Sequence, residues 1–473
     1  MGGLEVDMVV SAEEAHRSIN KNPYRSHPTP HRARNRLFPF ATPAMKSKIG
    51  LPASGRYAVA GDCFARSIEE SLRHAGLNVI SSPIGRGMPG NRQDQIGRFI
   101  KFHLDVFLQE LRFLIGVAEQ DFNAPIIEVK GEYIDLMIGV NFAHDQETAR
   151  RYRSINNQNF LPFLDADIIV LVAGGVEQWF DKETGLYVNG FVPGFIIQEY
   201  PGRFELHRIS CDRAAQVVQE IINIITQHSK RTPHFVLCNS SAFDAATFFE
   251  NDILLEHVYS RSVQRVALEK ITLENDSASY LPALEFLLLS DRDCCYQQTN
   301  LSHTTNYFTD RVISEMMRAG GLVGPAEESL RVRGTSGAFV NMGRLDDALE
   351  VVNAFLDTRP DPALYRPDML TVVRNELYTK LGIVDERIKL HLANCGRDIP
   401  DGTRFFSPDH SYQMAMASAR STTDIELMGQ VIDARDGREL TEDNEKNFTY
   451  LVYRRERLIA DQQRKAVNPP EAE

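Results

Sequence analysis

Several things are scarce in this chain of 473 residues. Cysteine occurs six times and only Cys294 and Cys295 stand close together, so neither a disulfide framework nor a paired Cys-x-x-Cys metal site is spelled out, and no metal is expected. No apolar run approaches the ~20 residues that a membrane-spanning helix needs. An excess of basic residues is missing too: Lys and Arg number 52 against 64 Asp and Glu, a net charge of −12, which argues against general nucleic-acid binding. The local exception is an absence of acid. Between Ala15 and Gly61 there is no Asp or Glu, while Arg17, Lys21, Arg25, Arg32, Arg34, Arg36, Lys46 and Lys48 accumulate. Residues 1–49 are therefore expected to form a basic arm, either resting on the acidic surface of the chain or meeting an acidic or phosphate-bearing partner. The opening Met-Gly-Gly-Leu-Glu-Val-Asp has neither the basic nor the apolar stretch of a secretory leader, so a cytoplasmic location is the expectation.

What is present divides near residue 325. With 43% hydrophobic residues the chain can bury a sizeable core. Up to residue 322, short apolar runs alternate with helical patterns: Arg56 to Ala60, Phe64 to His74, Leu77 to Ser81, Ile168 to Ala173, Arg213 to His228, Phe235 to Asn239 and Glu256 to Lys270. This βαβ rhythm predicts an α/β domain over residues 50–322 with a parallel sheet covered on both faces. Ligands of such sheets sit at the carboxyl ends of the strands, where Cys63, Gly174 and Asn239 all fall. After Gly320-Gly-Leu-Val-Gly-Pro325 the alternation stops, and residues 326–460 read as helical. Phe339-Val-Asn-Met-Gly-Arg-Leu-Asp-Asp-Ala-Leu-Glu350 resembles one tetratricopeptide unit, with Gly343 at the turn, Ala348 at the helix crossing and Pro360 at the exit; Lys380-Leu-Gly-Ile-Val-Asp-Glu-Arg-Ile388 echoes it loosely. A generic helical appendage is the alternative. The polar segment 461–473 is expected to be a disordered tail.

The most informative stretch is Tyr57-Ala-Val-Ala-Gly-Asp-Cys-Phe-Ala65. It sets a Cys on a strand-to-helix turn, where helix amides lower a thiol pKa and a nucleophile can face a cleft. A buried Cys packing as a small hydrophobe is the alternative. Gly61-Asp62-Cys63-Phe64-Ala65 resembles the signature of the GSCFA-domain family, with Asp where that motif has Ser. That family is grouped with the SGNH/GDSL hydrolases, whose first motif is Gly-Asp-Ser. The resemblance continues in order through Asp165-Ala-Asp-Ile-Ile-Val-Leu-Val-Ala-Gly-Gly-Val-Glu-Gln-Trp179, Tyr259-Ser-Arg-Ser-Val-Gln-Arg265 and Tyr280-Leu-Pro-Ala-Leu-Glu285, roughly residues 22 to 320. It implies an SGNH-hydrolase-like three-layer α/β/α domain.

The same resemblance implies a base for Cys63 late in the domain, a His three residues after an acid. The matching segment is Asn300-Leu-Ser-His303, so His303 is the expected base and Asn300 stands where the orienting acid would be. Asn accepts a hydrogen bond from the ring but cannot stabilise imidazolium by charge, which a low-pKa thiol tolerates better than a hydroxyl; Asp291 or Asp293 could restore the charge. Oxyanion donors are expected at the Gly61-Asp62 turn and the Cys63 amide, at Gly85 or Gly87 in the second loop, and at Gly174 or Gly175. Val176 replaces the Asn that relatives use there. Glu177 and Trp179 are expected to line the substrate site, Trp179 stacking on a sugar or serving as packing.

Two functional classes follow. One is an acyltransferase or esterase acting through an acyl-Cys63 intermediate on a carbohydrate or glycoconjugate; similarity to a capsule-polysaccharide acetyltransferase branch with Gly-Asn-Cys at this point implies acetyl-CoA as donor, with no tightly bound cofactor. The other is a catalytically degenerate module that binds a glycan or protein, with the C-terminal helices as the surface for a protein partner.

Overall fold

The computed structural model describes residues 9–26, 36–83, 86–87, 90, 92–139, 142–143, 145–297, 299–395, 408–435 and 438–467. Its centre is a five-stranded sheet of β1 (Arg56–Ala60), β2 (Asn78–Val79), β3 (Ile168–Ala173), β4 (His234–Asn239) and β5 (Ala278–Leu281), in the order β2-β1-β3-β4-β5. Every pairing is parallel, with Ala60 opposite Leu171 and Asn239 opposite Ala173. Strands buried on both faces read as unbroken apolar runs, and β3, Ile-Ile-Val-Leu-Val-Ala, is buried throughout.

Alternate residues serve two cores. Tyr57, Val59, Ile168, Val170, Val172, Val236 and Cys238 face one, shared with helix α1 (Cys63–His74) and the late helix Asn306–Ala319. Ala58, Ala60, Ile169, Leu171, Phe235 and Leu237 face the other, shared with α2 (Leu104–Leu114), α3 (Cys211–His228) and α4 (Ile253–Glu274). The result is three layers, α/β/α, with the sheet in the middle. The expected strands and helices stand within a few residues of their predicted limits. Three antiparallel pieces were not anticipated: a ribbon of Ile126–Val129, Glu132–Asp135 and Phe142–Ala143, another of Glu177–Asp181, Leu186–Tyr187 and Phe204–Arg208, and the hairpin Tyr296–Gln297/Asn300–Thr304.

Among the described residues no strand follows Thr304, and the chain continues as helices. Three helical hairpins begin at Pro325, Pro367 and Pro408, steps of 42 and 41 residues. Gly343 and Gly382 close the first helix of the first two, with φ of 74° and 69°. At each, the second residue's amide reaches back into the last turn, Arg344 to Phe339 at 2.8 Å and Ile383 to Tyr378 at 2.9 Å. Ala348 is fully buried at the helix crossing. The helix Pro325–Asn341 adds Leu330 and Ala338 to the same core as β1 and α1, so no break in packing separates it from the α/β layers. The close approach rests on two glycines: a Cβ on Gly337 would lie 2.1 Å from the Tyr307 ring, and one on Gly334 would lie 2.7 Å from the Tyr307 carbonyl.

The two ends of the described chain are both structured in part. Ser11 caps an exposed helix, Ala12–Lys21, which buries none of its residues. Residues 36–51 are bound to the fold: Phe40 and Ala41 are buried, and Lys48 Nζ meets the carbonyls of Thr272 and Asn275 at 2.6 and 2.8 Å, a cation at the carboxyl end of α4. Arg32 and Arg34 lie outside the described residues. Of the segment 461–473, expected as a disordered tail, residues 461–467 instead continue the helix Glu442–Val467, where Gln, Arg, Lys and Ala carry good helix propensity onward, and residues 468–473 lie outside the described residues. Among the described residues no helix is long and apolar enough to cross a membrane.

The Gly337–Tyr307 contact generates a test. Gly337→Val forces the ring or the helix to move, and overpacking of this kind costs about 1–3 kcal/mol. The urea or thermal midpoint should fall accordingly; an unchanged midpoint would show that these helices do not meet here.

Candidate functional site

The turn after β1 is built for a tight corner. Gly61 has φ 141°, and a Cβ there would stand 2.6 Å from Val172 of the neighbouring strand. Only glycine fits. Asp62 then caps α1, its Oδ1 accepting the Phe64 amide at 3.0 Å, and Cys63 becomes the first residue of the helix. Asp62 is buried, and Ser240, just past β4, donates its hydroxyl to Oδ2 at 2.5 Å.

Opposite lies the turn after β3. A Cβ on Gly174 would strike the Phe102 carbonyl at 2.0 Å and lie 3.9 Å from Asp62 Oδ2; one on Gly175 would lie 2.9 Å from Asp244 Oδ1. The Gly175 carbonyl accepts Nδ1 of buried His103 at 3.1 Å. Behind it the Val176 amide is taken by Ser260 Oγ at 3.1 Å. Asp244 in turn holds His257 Nδ1 at 3.3 Å and an Arg261 nitrogen at 3.1 Å, while Arg261 also reaches the Ala242 carbonyl at 2.7 Å. Asp62, Gly174, Gly175, Asp244, His257 and Arg261 thus form one polar floor along the carboxyl edge of the sheet, and Cys63 follows Asp62 as the first residue of α1.

Sequence reasoning missed Ser240, His103, Asp244 and His257. Arg261 was within a quoted segment, Tyr-Ser-Arg-Ser, yet no pattern marked its partner. The segments Tyr259–Arg265 and Tyr280–Glu285 also meet: Arg265 Nε lies 2.7 Å from Glu285, which accepts the Tyr280 hydroxyl at 2.9 Å.

The electrostatics correct one expectation. A helix N-terminus was to lower the Cys63 thiol, yet burial, and then the Asp62 carboxylate, push it up to about 12, outweighing the amides of Cys63 and Phe64 and the charge of Arg261. The thiol is neutral at pH 7. Burial also raises Asp62, against the pull of Arg261, Ser240 and the Phe64 amide. Burial lowers His103 and keeps it uncharged. Burial acts to raise Asp244 as well, but Arg261 and His257 outweigh it and hold this carboxyl below its usual range.

The other predicted residues stand apart. His303 is exposed on the hairpin, its Nδ1 2.9 Å from Ser302 Oγ. Asn300 does not face the ring; its Oδ1 accepts the Ser302 hydroxyl at 2.6 Å, so Ser302 bridges the two. A hydroxyl that donates to Asn300 can accept only a proton from Nδ1, which leaves Nε2 as the basic nitrogen. The hairpin touches the floor through its backbone, Ser302 O receiving the Phe243 amide at 3.0 Å. Asp291 caps a short helix by accepting the Asp293 amide at 3.0 Å. Glu177 fastens the loop after β4, taking the Thr247 hydroxyl at 2.6 Å and the Phe248 amide at 2.9 Å. Trp179 packs edge-on against Phe248, ring centres 5.2 Å apart. Gly85 lies outside the described residues, and a Cβ on Gly87, which has φ 86°, would lie 4.0 Å from the Ile155 side chain. Among the described residues no group of three or more His, Cys, Asp or Glu side chains could hold a metal ion.

The raised thiol has a consequence in solution. Alkylation of Cys63 by iodoacetamide should keep rising with pH beyond 9, since thiolate is the reactive form. Asp62→Asn preserves a capping side chain but removes the charge, so it should shift that profile to lower pH and speed labelling at pH 8 several-fold. An unshifted profile would show that the carboxylate does not control the thiol.

A strand ending in Gly-Asp-Cys, a parallel sheet and a two-glycine turn at its carboxyl edge agree with what comparison finds. No curated protein and no solved structure matches the chain significantly. The model of the GSCFA family matches residues 56–316, from the first residue of β1 into the helix that follows the hairpin, which is more than half of the chain, and the protein belongs to the GSCFA family.

Proposed function

We propose that this protein is an SGNH-like acyl-transfer enzyme, an acetyltransferase or esterase, in which Cys63 carries the acyl group from a donor such as acetyl-CoA to a hydroxyl of a carbohydrate or glycoconjugate. The observation that carries the reading is the position of Cys63. It is the first residue of the helix after the first strand of a parallel sheet, cornered by Gly61 and capped by Asp62. Attack by sulfur on a thioester exchanges one thioester for another and is nearly isoenergetic, so a thiol suits acyl-CoA as donor.

The pKa of about 12 sets the mechanism. Only roughly one thiol in 10⁵ is ionised at pH 7. A base must therefore take the proton as sulfur attacks, as it would from a hydroxyl nucleophile. Candidates are His303, oriented by Ser302, and the histidines of the floor. The Cys63 amide at the head of α1 and the Gly174-Gly175 turn are the donors for the developing oxyanion. Trp179 and Phe248 offer an aromatic wall for a sugar face beside the loop that Glu177 fastens.

One observation favours a second reading. His303 is exposed, and Nδ1 bonds a serine rather than an acid. A recognition module for a glycan or protein, with the tetratricopeptide-like hairpins as the protein-binding surface, would have that arrangement.

Incubation with labelled acetyl-CoA, and separately with p-nitrophenyl acetate, decides between them. Acyl transfer predicts an acetyl group on the Cys63 peptide, absent in Cys63→Ala while the melting temperature is unchanged. A folded native chain that gains no acetyl group at Cys63 from either donor would leave the recognition module as the reading.

A further inference from the structure

A helix on the outside of a layered fold turns its apolar side to the core and its polar side to water. The helix α3 does so: Asp212, Gln216, Asn223, Thr226 and Gln227 are exposed, and its alanines, valines and isoleucines are buried. Its neighbour α4 is reversed over its first three turns. Glu256, His257, Ser260, Arg261 and Gln264 are buried, while Leu254, Leu255, Val258, Tyr259, Val266 and Leu273 are between 45 and 70% exposed. The inward polar groups are engaged: Glu256 pairs with Arg208 at 2.5 Å, His257 and Arg261 meet Asp244 at 3.3 and 3.1 Å, and Ser260 holds the Val176 amide at 3.1 Å. The polar floor thus fixes which way α4 faces, and that leaves its apolar residues outside.

Those outward residues form a seam. Leu255, Tyr259, Ser262, Val266, Glu269 and Leu273 succeed one another at alternating steps of four and three residues, the spacing at which one helix lies along another. Read in reverse, the seam complements itself. Laid antiparallel to a second copy, about an axis at the level of Gln264, it sets Leu255 against Leu273, the Tyr259 hydroxyl against the Glu269 carboxylate, and small Ser262 against Val266, each contact made twice as two-fold symmetry requires. Among the described residues the Tyr259 hydroxyl has no hydrogen-bond partner, although Arg208 steadies its ring from 5.0 Å. Glu269 enters already neutralised by Arg265 at 2.5 Å, with its second oxygen free to accept. A parallel pair would instead press Glu269 against its own copy, and would align the two helix dipoles rather than oppose them. The area is also sufficient. A fully exposed Leu or Val side chain presents on the order of 100 Å² of apolar surface, so the six exposed apolar side chains, Tyr259 being larger, offer on the order of 400 Å² per copy. A standard interface buries about 800 Å² per partner, a little over half of it apolar.

We propose that the outer face of α4 seats a second copy of this chain, the two helices packing antiparallel in a two-fold dimer. Pairing covers the backs of the helices whose inner faces carry His257, Ser260 and Arg261, so each copy braces the other's polar floor. The inference does not depend on the chemistry of Cys63.

The test is sedimentation velocity on the full chain at physiological salt, where a Debye length of about 8 Å screens the repulsion between two acidic copies. Interfaces of this size bind at micromolar concentration or tighter, so the native chain should sediment as a dimer at about 100 µM. Leu255→Glu and Leu273→Lys should each raise the dissociation constant about tenfold or more, because each sets a lone charge against an apolar side chain, and both should leave the far-UV circular dichroism unchanged. An equimolar mixture of the two variants should dimerise again. In that mixed pair the introduced carboxylate faces the introduced ammonium, and the remaining contact is Leu against Leu as in the native dimer. The proposal is overturned by a native chain that stays monomeric at that concentration, by a dimer that neither substitution weakens, or by a mixture that stays monomeric. Should either variant lose its circular dichroism, Val266→Lys decides by the same tenfold criterion.

Discussion

The corner at Gly61 governs the rest of the site. Because Val172 leaves no room for a Cβ there, the chain leaves β1 with φ 141° and enters α1 at once. That entry makes Asp62 the cap and Cys63 the first helical residue. It also turns the Asp62 carboxylate inward, where Ser240 from the end of β4 completes its hydrogen bonds. Three strand ends are thereby tied at one point: β1 through Asp62, β3 through the glycines that must leave space for it, and β4 through Ser240.

The same corner explains why the thiol is high rather than low. Helix amides favour a thiolate, but their effect is confined to the first turn and weakens against burial. Here burial and an adjoining carboxylate act together, and they win. Asp62 therefore carries an electrostatic cost. What it brings is rigidity, through the cap and the Ser240 bond. A thiol held neutral also resists adventitious oxidation, which follows thiolate character and exposure.

The helical region is not an appendage in the physical sense. Gly334 and Gly337 let the helix Pro325–Asn341 settle on Tyr307, and Leu330 and Ala338 enter the core beneath α1. Ser71 of α1 donates to Asp310, which also pairs with Arg333 of that helix, so a buried polar contact links the first helix of the α/β layers to the first of the hairpins. Motion of the hairpins against the sheet would expose both apolar surface and a buried charge pair, which penalises it strongly.

Local features were legible in the sequence. The strand Arg56–Ala60, the abrupt Gly-Asp-Cys turn, the apolar run ending in Gly174-Gly175 and the glycine-closed helical hairpins each depend on neighbours within a few residues, and short-range sterics and periodicity determined them. The sequence also placed Cys63 at the carboxyl edge of a parallel sheet. What depends on distant residues only the tertiary structure decided. Asp244, His257 and Arg261 are joined by a loop and a helix turn that no spacing rule marks. The antiparallel ribbons pair segments whose alternation is too short to register. The core continues past Pro325 because Tyr307 and Gly337 happen to face each other. Most of all, the state of Cys63 could not be read from its position on a helix, because the energy of a charge is set by everything that removes water around it, and burial is a property of the whole fold.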